Sequence, residues 1–195
     1  MAQVVAISHH FRARVKTPKH RPVRIEQIDK GIPWGFFDGA SPVDQRSCGG
    51  GGVLFKSEEH FFHISAGLGR GTNNFAELMS LRLLLLFALE QGCLSLQVFG
   101  DSSLVINWAN GAAQCNVLNL VAILEEIQLI KQMFNSISFT HVYRERNGVA
   151  DRLSKEAAQR PLALGIWQIT VHSPVGTYSY YHRPFHEEEI EQIRD

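Results

Sequence analysis

Residues 75–90 constrain this chain more than any other stretch. They read as one helix, with N-cap chemistry in Thr72-Asn73-Asn74 ahead of it and Gly92 as its stop. Leu and Phe recur nearly all round the helix, so it has no face to give to solvent and has to be buried. Its most apolar part, residues 78–89, contains Arg82 and is too short to span a bilayer.

The flanking segments supply the layers that would bury it. Residues 34–39, 53–57 and 60–67 are rich in Val, Phe and Ile and read as three strands with short links, an antiparallel meander. The Gly-dense segment 47–52 reads as a turn between the first two. After the long helix come a strand at 94–99, a short helix at 102–109 ended by Asn110-Gly111, and a longer helix at 117–134. That helix carries Leu120, Ile123, Leu124, Ile127 and Ile130 at helical spacing. A strand at 137–143 follows. Asn147 then caps a last helix to about Gln159, before Pro161.

The order βββ-α-β-αα-β-α predicts an α/β fold: a five-stranded mixed sheet, three antiparallel strands and then two parallel ones, with helices on both faces. If the fourth strand returns to the far side of the first, chain connections diverge between them. Sites in open α/β sheets form at such switch points. Asp38 and Asp101 end those two strands.

A length of 195 residues suits one domain with tails, and an apolar content of 45% is enough for a core. Residues 1–33 read as a basic tail or linker, 34–160 as the domain, and 161–195 as an aromatic-rich extension with an acidic end. Arg12, Arg14, Lys16, Lys19, Arg21 and Arg24 crowd the first segment, and Glu187, Glu188, Glu189, Glu191 and Asp195 the last. Both read as solvated tails. Formal net charge is zero, so any nucleic-acid contact rests on local patches rather than a global field. Cys48, Cys93 and Cys115 are odd in number and lack CxxC spacing, which argues against a disulfide framework or a zinc site. With no apolar core after the basic N-terminus there is no secretory signal, and an intracellular protein, nuclear or cytoplasmic, is expected.

Four carboxylates carry the chemistry: Asp38, Glu77, Asp101 and Asp151. Each has a plain structural reading. Asp38 before Gly39 suits a turn, Glu77 a first-turn acid favoured by the helix dipole, Asp101 an N-cap, and Asp151 a helix N-terminus. Together, on neighbouring strand ends and helix starts, they converge at one sheet edge. Clustered carboxylates repel and are costly to desolvate, and a hard divalent cation such as Mg²⁺, which takes oxygen ligands, is the usual remedy.

The segments around these acids resemble the type 1 ribonuclease H family. They are Phe36-Phe37-Asp38-Gly39-Ala40, Thr72-Asn73-Asn74-Phe75-Ala76-Glu77-Leu78, Gly100-Asp101-Ser102 and Asn147-Gly148-Val149-Ala150-Asp151-Arg152-Leu153-Ser154. The wording of Trp34 to Ala40 and of His141 to Asn147 looks most like the ribonuclease H domain of plant retroelement reverse-transcriptase polyproteins and their stand-alone relatives. The resemblance implies a ribonuclease H-like fold and a Mg²⁺-dependent endonuclease that cuts the RNA strand of RNA–DNA hybrids. It implies two Mg²⁺ ions, with Mn²⁺ able to substitute. Asp38 would bridge them, with Glu77 and Asp101 on one ion and Asp151 on the other. It places substrate contacts at Gly39, Thr72, Asn73, Asn74, Ser103, Arg144, Arg146 and Asn147. The implied partners are the hybrid and, in a polyprotein setting, a reverse-transcriptase polymerase domain, with no membrane. The alternative is a catalytically weak or inactive nucleic-acid-binding module of the same origin.

Two departures from the family pattern stand out. The link 144–146 holds no histidine to assist product release, and His141 lies within a strand, where a structural role is expected. Residues 110–116 contain no Lys or Arg, so the family's basic protrusion is missing and weak hybrid binding follows. Residues 161–195 lie outside the resemblance. Residues 166–172 and 177–182 read there as a hairpin about Pro174-Val175-Gly176, packed on the domain.

Overall fold

The computed structural model describes residues 28–43, 46–160 and 164–183. The tail expected before residue 28 and the acidic end expected after residue 183 lie outside the described residues. Strands β1 (Trp34–Ala40), β2 (Cys48–Phe55) and β3 (Phe61–Gly69) form the meander. Helix α1 (Asn73–Glu90) leads to β4 (Ser95–Gly100), α2 (Ser103–Ala109), α3 (Leu118–Lys131) and β5 (Ser136–His141). A single 3-10 turn (Arg144–Arg146) precedes α4 (Gly148–Gln159), and β6 (Trp167–Ser173) and β7 (Gly176–His182) form a hairpin.

The sheet order is β5-β4-β1-β2-β3-β6-β7. β4 lies parallel to β1, on the side away from β2, so the switch point between them is real. Two expectations are corrected. The sheet has seven strands rather than five, because β6 pairs antiparallel with β3 and β7 with β6. The outer edge of β3 carries a row of backbone donors and acceptors that needs a partner. Trp167, Ile169 and Val171 of β6 extend the core on that side. Periodicity marked the hairpin but could not say which edge it would join.

The second correction concerns the glycines. Residues 48–52 are not a turn but the first part of β2. Their lack of side chains is a packing requirement. A Cβ on Gly49 would lie 2.1 Å from the Ser154 carbonyl oxygen, and one on Gly51 would lie 2.4 Å from the Ala150 carbonyl oxygen. Helix α4 rests on the strand backbone itself.

The two faces differ. On one, α1 is enclosed by the sheet and α3, with Leu78, Leu81, Leu84, Leu85 and Phe87 wholly buried. Arg82, the odd residue of this apolar helix, is answered by an ion pair with Glu126 of α3. On the other face, α4 buries only Ala150, Leu153, Ser154 and Ala157. Beyond it runs an aromatic strip in which Trp34 stacks on Phe55 at 4.9 Å and Phe36 on Phe99 at 5.2 Å. The three cysteines are unpaired, and among the described residues no helix is long and apolar enough to cross a membrane.

Candidate active site

Alternation along β1 sends Phe37 into the α1-side core and Asp38 toward α4. Asp38 is 5% exposed and meets the hydroxyl of Ser154, which donates to its Oδ2. Burial pushes this carboxyl up to about 7. The charges of Asp101 and Asp151 push the same way, and the Ser154 hydroxyl pulls against them.

Glu77 is 4% exposed. Helix α1 begins at Asn73, capped by the Thr72 hydroxyl, which accepts from the Phe75 N–H at 3.3 Å. Glu77 therefore lies past the first turn, where the helix dipole offers it little, and the plain dipole reading fails. Burial, followed by the charges of Asp38 and Asp101, pushes it up to about 9. Its Oε2 is buried with no hydrogen-bond partner. A buried acceptor without a donor costs free energy, and a cation would satisfy it.

Asp101 leaves the end of β4. Ser102, not Asp101, caps α2 by accepting from the Val105 N–H. Asn147 donates from Nδ2 to both Asp101 Oδ1 (3.2 Å) and the Phe37 carbonyl (2.9 Å). Its side chain makes no helix cap, although it stands at the N-cap position of α4. It ties the start of α4 to β1 and to Asp101 instead. His141, whose Nε2 lies 3.1 Å from the Asp101 carbonyl oxygen, also contacts this turn.

One oxygen from each of Asp38, Glu77 and Asp101 fits in a cluster whose members all lie within 4.8 Å of one another. Asp151 lines the same cleft, of about 540 Å³, but stands outside that tight cluster. Arg144 donates to its Oδ1 at 2.8 Å and Lys155 to its Oδ2 at 2.6 Å. Burial would raise the Asp151 carboxyl, but the Lys155 and Arg144 contacts outweigh it and hold the group below its ordinary value. Three convergent acids, two of them buried and raised, with one orphaned oxygen, form a donor set suited to a hard divalent cation.

The other sequence-derived positions divide. Gly39, Asn73 and Arg144 line the cleft. Thr72 serves as the α1 cap, and Asn74 and Ser103 do not line the cleft, whereas Ser102 does. Arg146 faces a separate groove beside Phe36 and Phe99. Asn147 is 1% exposed, with its Nδ2 bonded to the Phe37 carbonyl and Asp101 and its Oδ1 without a partner. Sequence reasoning missed Ser154 and Lys155. The signal was available, since three and four residues after Asp151 fall on the same side of a helix.

A family model described as Reverse transcriptase-like matches residues 36–157, more than half of the chain. Ribonuclease HI of Halobacterium salinarum is 33% identical over 125 residues, covering 63% of this chain and 62% of that protein. The chain belongs to the ribonuclease H family.

A bifunctional protein of Mycobacterium tuberculosis is 30% identical over 122 residues, 62% of this chain but only 34% of that protein. The chain thus spans between about a third and two thirds of the length of the curated relatives it matches. The crystal structure of the halobacterial ribonuclease H1 is similar with a TM-score of 0.63 at 32% identity, covering 66% of this chain and 98% of that one. LC11 ribonuclease H1 in complex with an RNA/DNA hybrid is similar with a TM-score of 0.61 at 25% identity, covering 67% of this chain and 99% of that one.

Proposed function

We propose that this chain is an endonuclease that cuts the RNA strand of RNA–DNA hybrids with two Mg²⁺ ions, Mn²⁺ being able to substitute. The observation that carries the reading is the buried cluster of Asp38, Glu77 and Asp101, with its orphaned Glu77 oxygen. These three would hold one ion, and Asp38 with Asp151 the other. When bound, the ions activate a water for attack on the scissile phosphate and stabilise charge on the leaving 3′ oxygen. The hybrid in the LC11 relative's structure supports the substrate class.

The chain's own residues do the rest. Asp38 and Glu77, raised in the metal-free protein, would have to be ionised to serve as ligands, so cation affinity should fall as pH falls. Arg144 and Lys155, which pair with Asp151 in the metal-free protein and line the cleft, are suited to meet phosphate. Asn73 and the exposed N–H groups that open α1 suit a phosphate of the DNA strand. Arg144 stands where a histidine could have moved a proton. A guanidinium does not titrate, so turnover is slow at the release step. The family description, Reverse transcriptase-like, supports a polymerase domain as a working partner.

Three matched duplexes test the reading in Mg²⁺ and in EDTA. Hybrid RNA is cut, duplex RNA poorly and duplex DNA not at all, because the cleaved strand needs 2′-hydroxyls and its partner a deformable DNA backbone. Equal cutting of all three indicates a general nuclease. No cutting at all favours the non-catalytic binding module.

A further inference from the structure

We propose that Ser154, seated on the bare backbone of β2, is the positioning residue that orients the Asp38 carboxylate and thereby sets the divalent-cation affinity of the acid cluster. The inference rests on the nuclease reading above.

Ser154 is wholly buried in the middle of α4, where the other buried residues are Ala150, Leu153 and Ala157. Packing alone would be served by another alanine. A hydroxyl at such a place is costly unless it is hydrogen-bonded. Its oxygen lies 2.5 Å from Asp38 Oδ2 and 2.9 Å from the Asp151 carbonyl oxygen. One hydroxyl hydrogen faces two acceptors, and once Asp38 is ionised, as a cation-holding site requires, its carboxylate is the stronger of them. One oxygen of Asp38 is thus tied to α4, and the carboxylate is aimed toward Glu77 and Asp101.

The reach depends on β2. A Cβ on Gly49 would lie 2.1 Å from the Ser154 carbonyl oxygen, and one on Gly51 would lie 2.5 Å from its backbone nitrogen. Two glycines on one face of β2 therefore leave room for the backbone of this residue, one at its carbonyl and one at its nitrogen. Asp151 is held by two cations, Arg144 and Lys155, whereas Asp38 is held by a neutral donor. A neutral donor can keep its bond after a cation has bound, because it does not repel the cation.

The test uses the full chain with Ser154→Ala and Ser154→Cys. Cysteine nearly keeps the volume but is a weak donor. Mg²⁺ is titrated in thermal melts, without substrate, and in hybrid cleavage. Both variants are expected to need about tenfold more Mg²⁺ for half of the melting-temperature rise and for half-maximal cleavage, the size of loss typical when a ligand's supporting hydrogen bond is removed. The hybrid KM at saturating Mg²⁺ should be unchanged. Wild-type Mg²⁺ titration in either variant overturns the proposal, as does a loss confined to metal-free stability. A wild type that responds to Mg²⁺ in melts but cuts no hybrid refutes the nuclease reading alone, and the melt titration still decides the role of Ser154. A wild type with no Mg²⁺ response overturns both.

Discussion

The two faces of the sheet solve opposite problems. Under α1 the contact is made by bulk: Leu78, Leu81, Leu84, Leu85 and Phe87 meet Phe37, Leu54, Ile64 and Ile169, none of them more than 1% exposed. Under α4 it is made by smallness, as Ala150, Ser154 and Ala157 lie on a strand with glycine at positions 49–52. Large side chains bury more apolar area, so the α1 face supplies most of the stability. Small ones let backbones approach, which brings the Ser154 hydroxyl within hydrogen-bond reach of Asp38. The acids gather where the two faces share an edge, Glu77 coming from α1, Asp151 from α4, Asp38 from within β1 and Asp101 from just past β4.

Neutralising the shared edge should have the largest effect. Asp38→Asn lowers hybrid cleavage at least ~10³-fold, about 4 kcal/mol of barrier. It leaves the metal-free melting temperature unchanged or higher, since one charge leaves a repulsive buried group. Cleavage rates and EDTA melts measure the two halves, and retained Mg²⁺-dependent cleavage would remove Asp38 from the site.

Truncation of the bulky face comes next. Leu84→Ala should cost about 3 kcal/mol in denaturant unfolding, as a fully buried leucine leaves a cavity. The Mg²⁺ needed for half-maximal cleavage by the folded fraction should not move.

Gly51→Ala presses on the other face. Its Cβ would meet the Ala150 carbonyl at 2.4 Å, backbone that can yield only by shifting α4. A cost of about 2 kcal/mol is expected. Unlike Leu84→Ala, this change should also raise the Mg²⁺ requirement. Equal Mg²⁺ responses in these two variants would show that the faces do not divide the work.

The smallest effect is a pH slope. The folded carboxyls of Asp38 and Glu77 stand at about 7 and about 9, above the ordinary value near 4 expected of the unfolded chain. Their contribution to stability is complete at acid pH and is lost as pH rises through those values, because the fold keeps protons that the unfolded chain has released. His63 behaves oppositely. Burial and the neighbouring His172 hold it near 4, so its contribution is lost as pH falls below about 6.5. Melts in EDTA between pH 6.5 and 9 isolate the acids. The melting temperature should fall across that window, and Glu77→Gln should flatten the slope. A rising melting temperature in wild type would contradict the buried-acid picture.

Several features were legible in the sequence because they are written in local pattern. The long apolar helix, the alternating strands and the element types around the four acids follow from periodicity and capping. The return of β4 to the free side of β1 is only a condition in the sequence, and the strand pairing meets it. Other features were not legible. Residues 48–52 look like a turn, because glycine is read for its backbone freedom, whereas here it is needed for its missing side chain. Asn147 looks like a cap and is instead a buried bridge to Phe37 and Asp101.

The sequence by itself determined the element order and the types of residue offered to a cation. Both depend on short-range spacing, which the chain carries wherever it folds. Only the tertiary structure decided that three of the acids close within 4.8 Å while Asp151 stands outside them, paired with Arg144 and Lys155. It alone placed the hairpin on the edge of β3 and set Ser154 against a carboxylate 116 positions earlier in the chain. Those outcomes depend on how closely backbones approach across the sheet and on which edge lacks a partner. Both are properties of assembled elements, and no single segment encodes them.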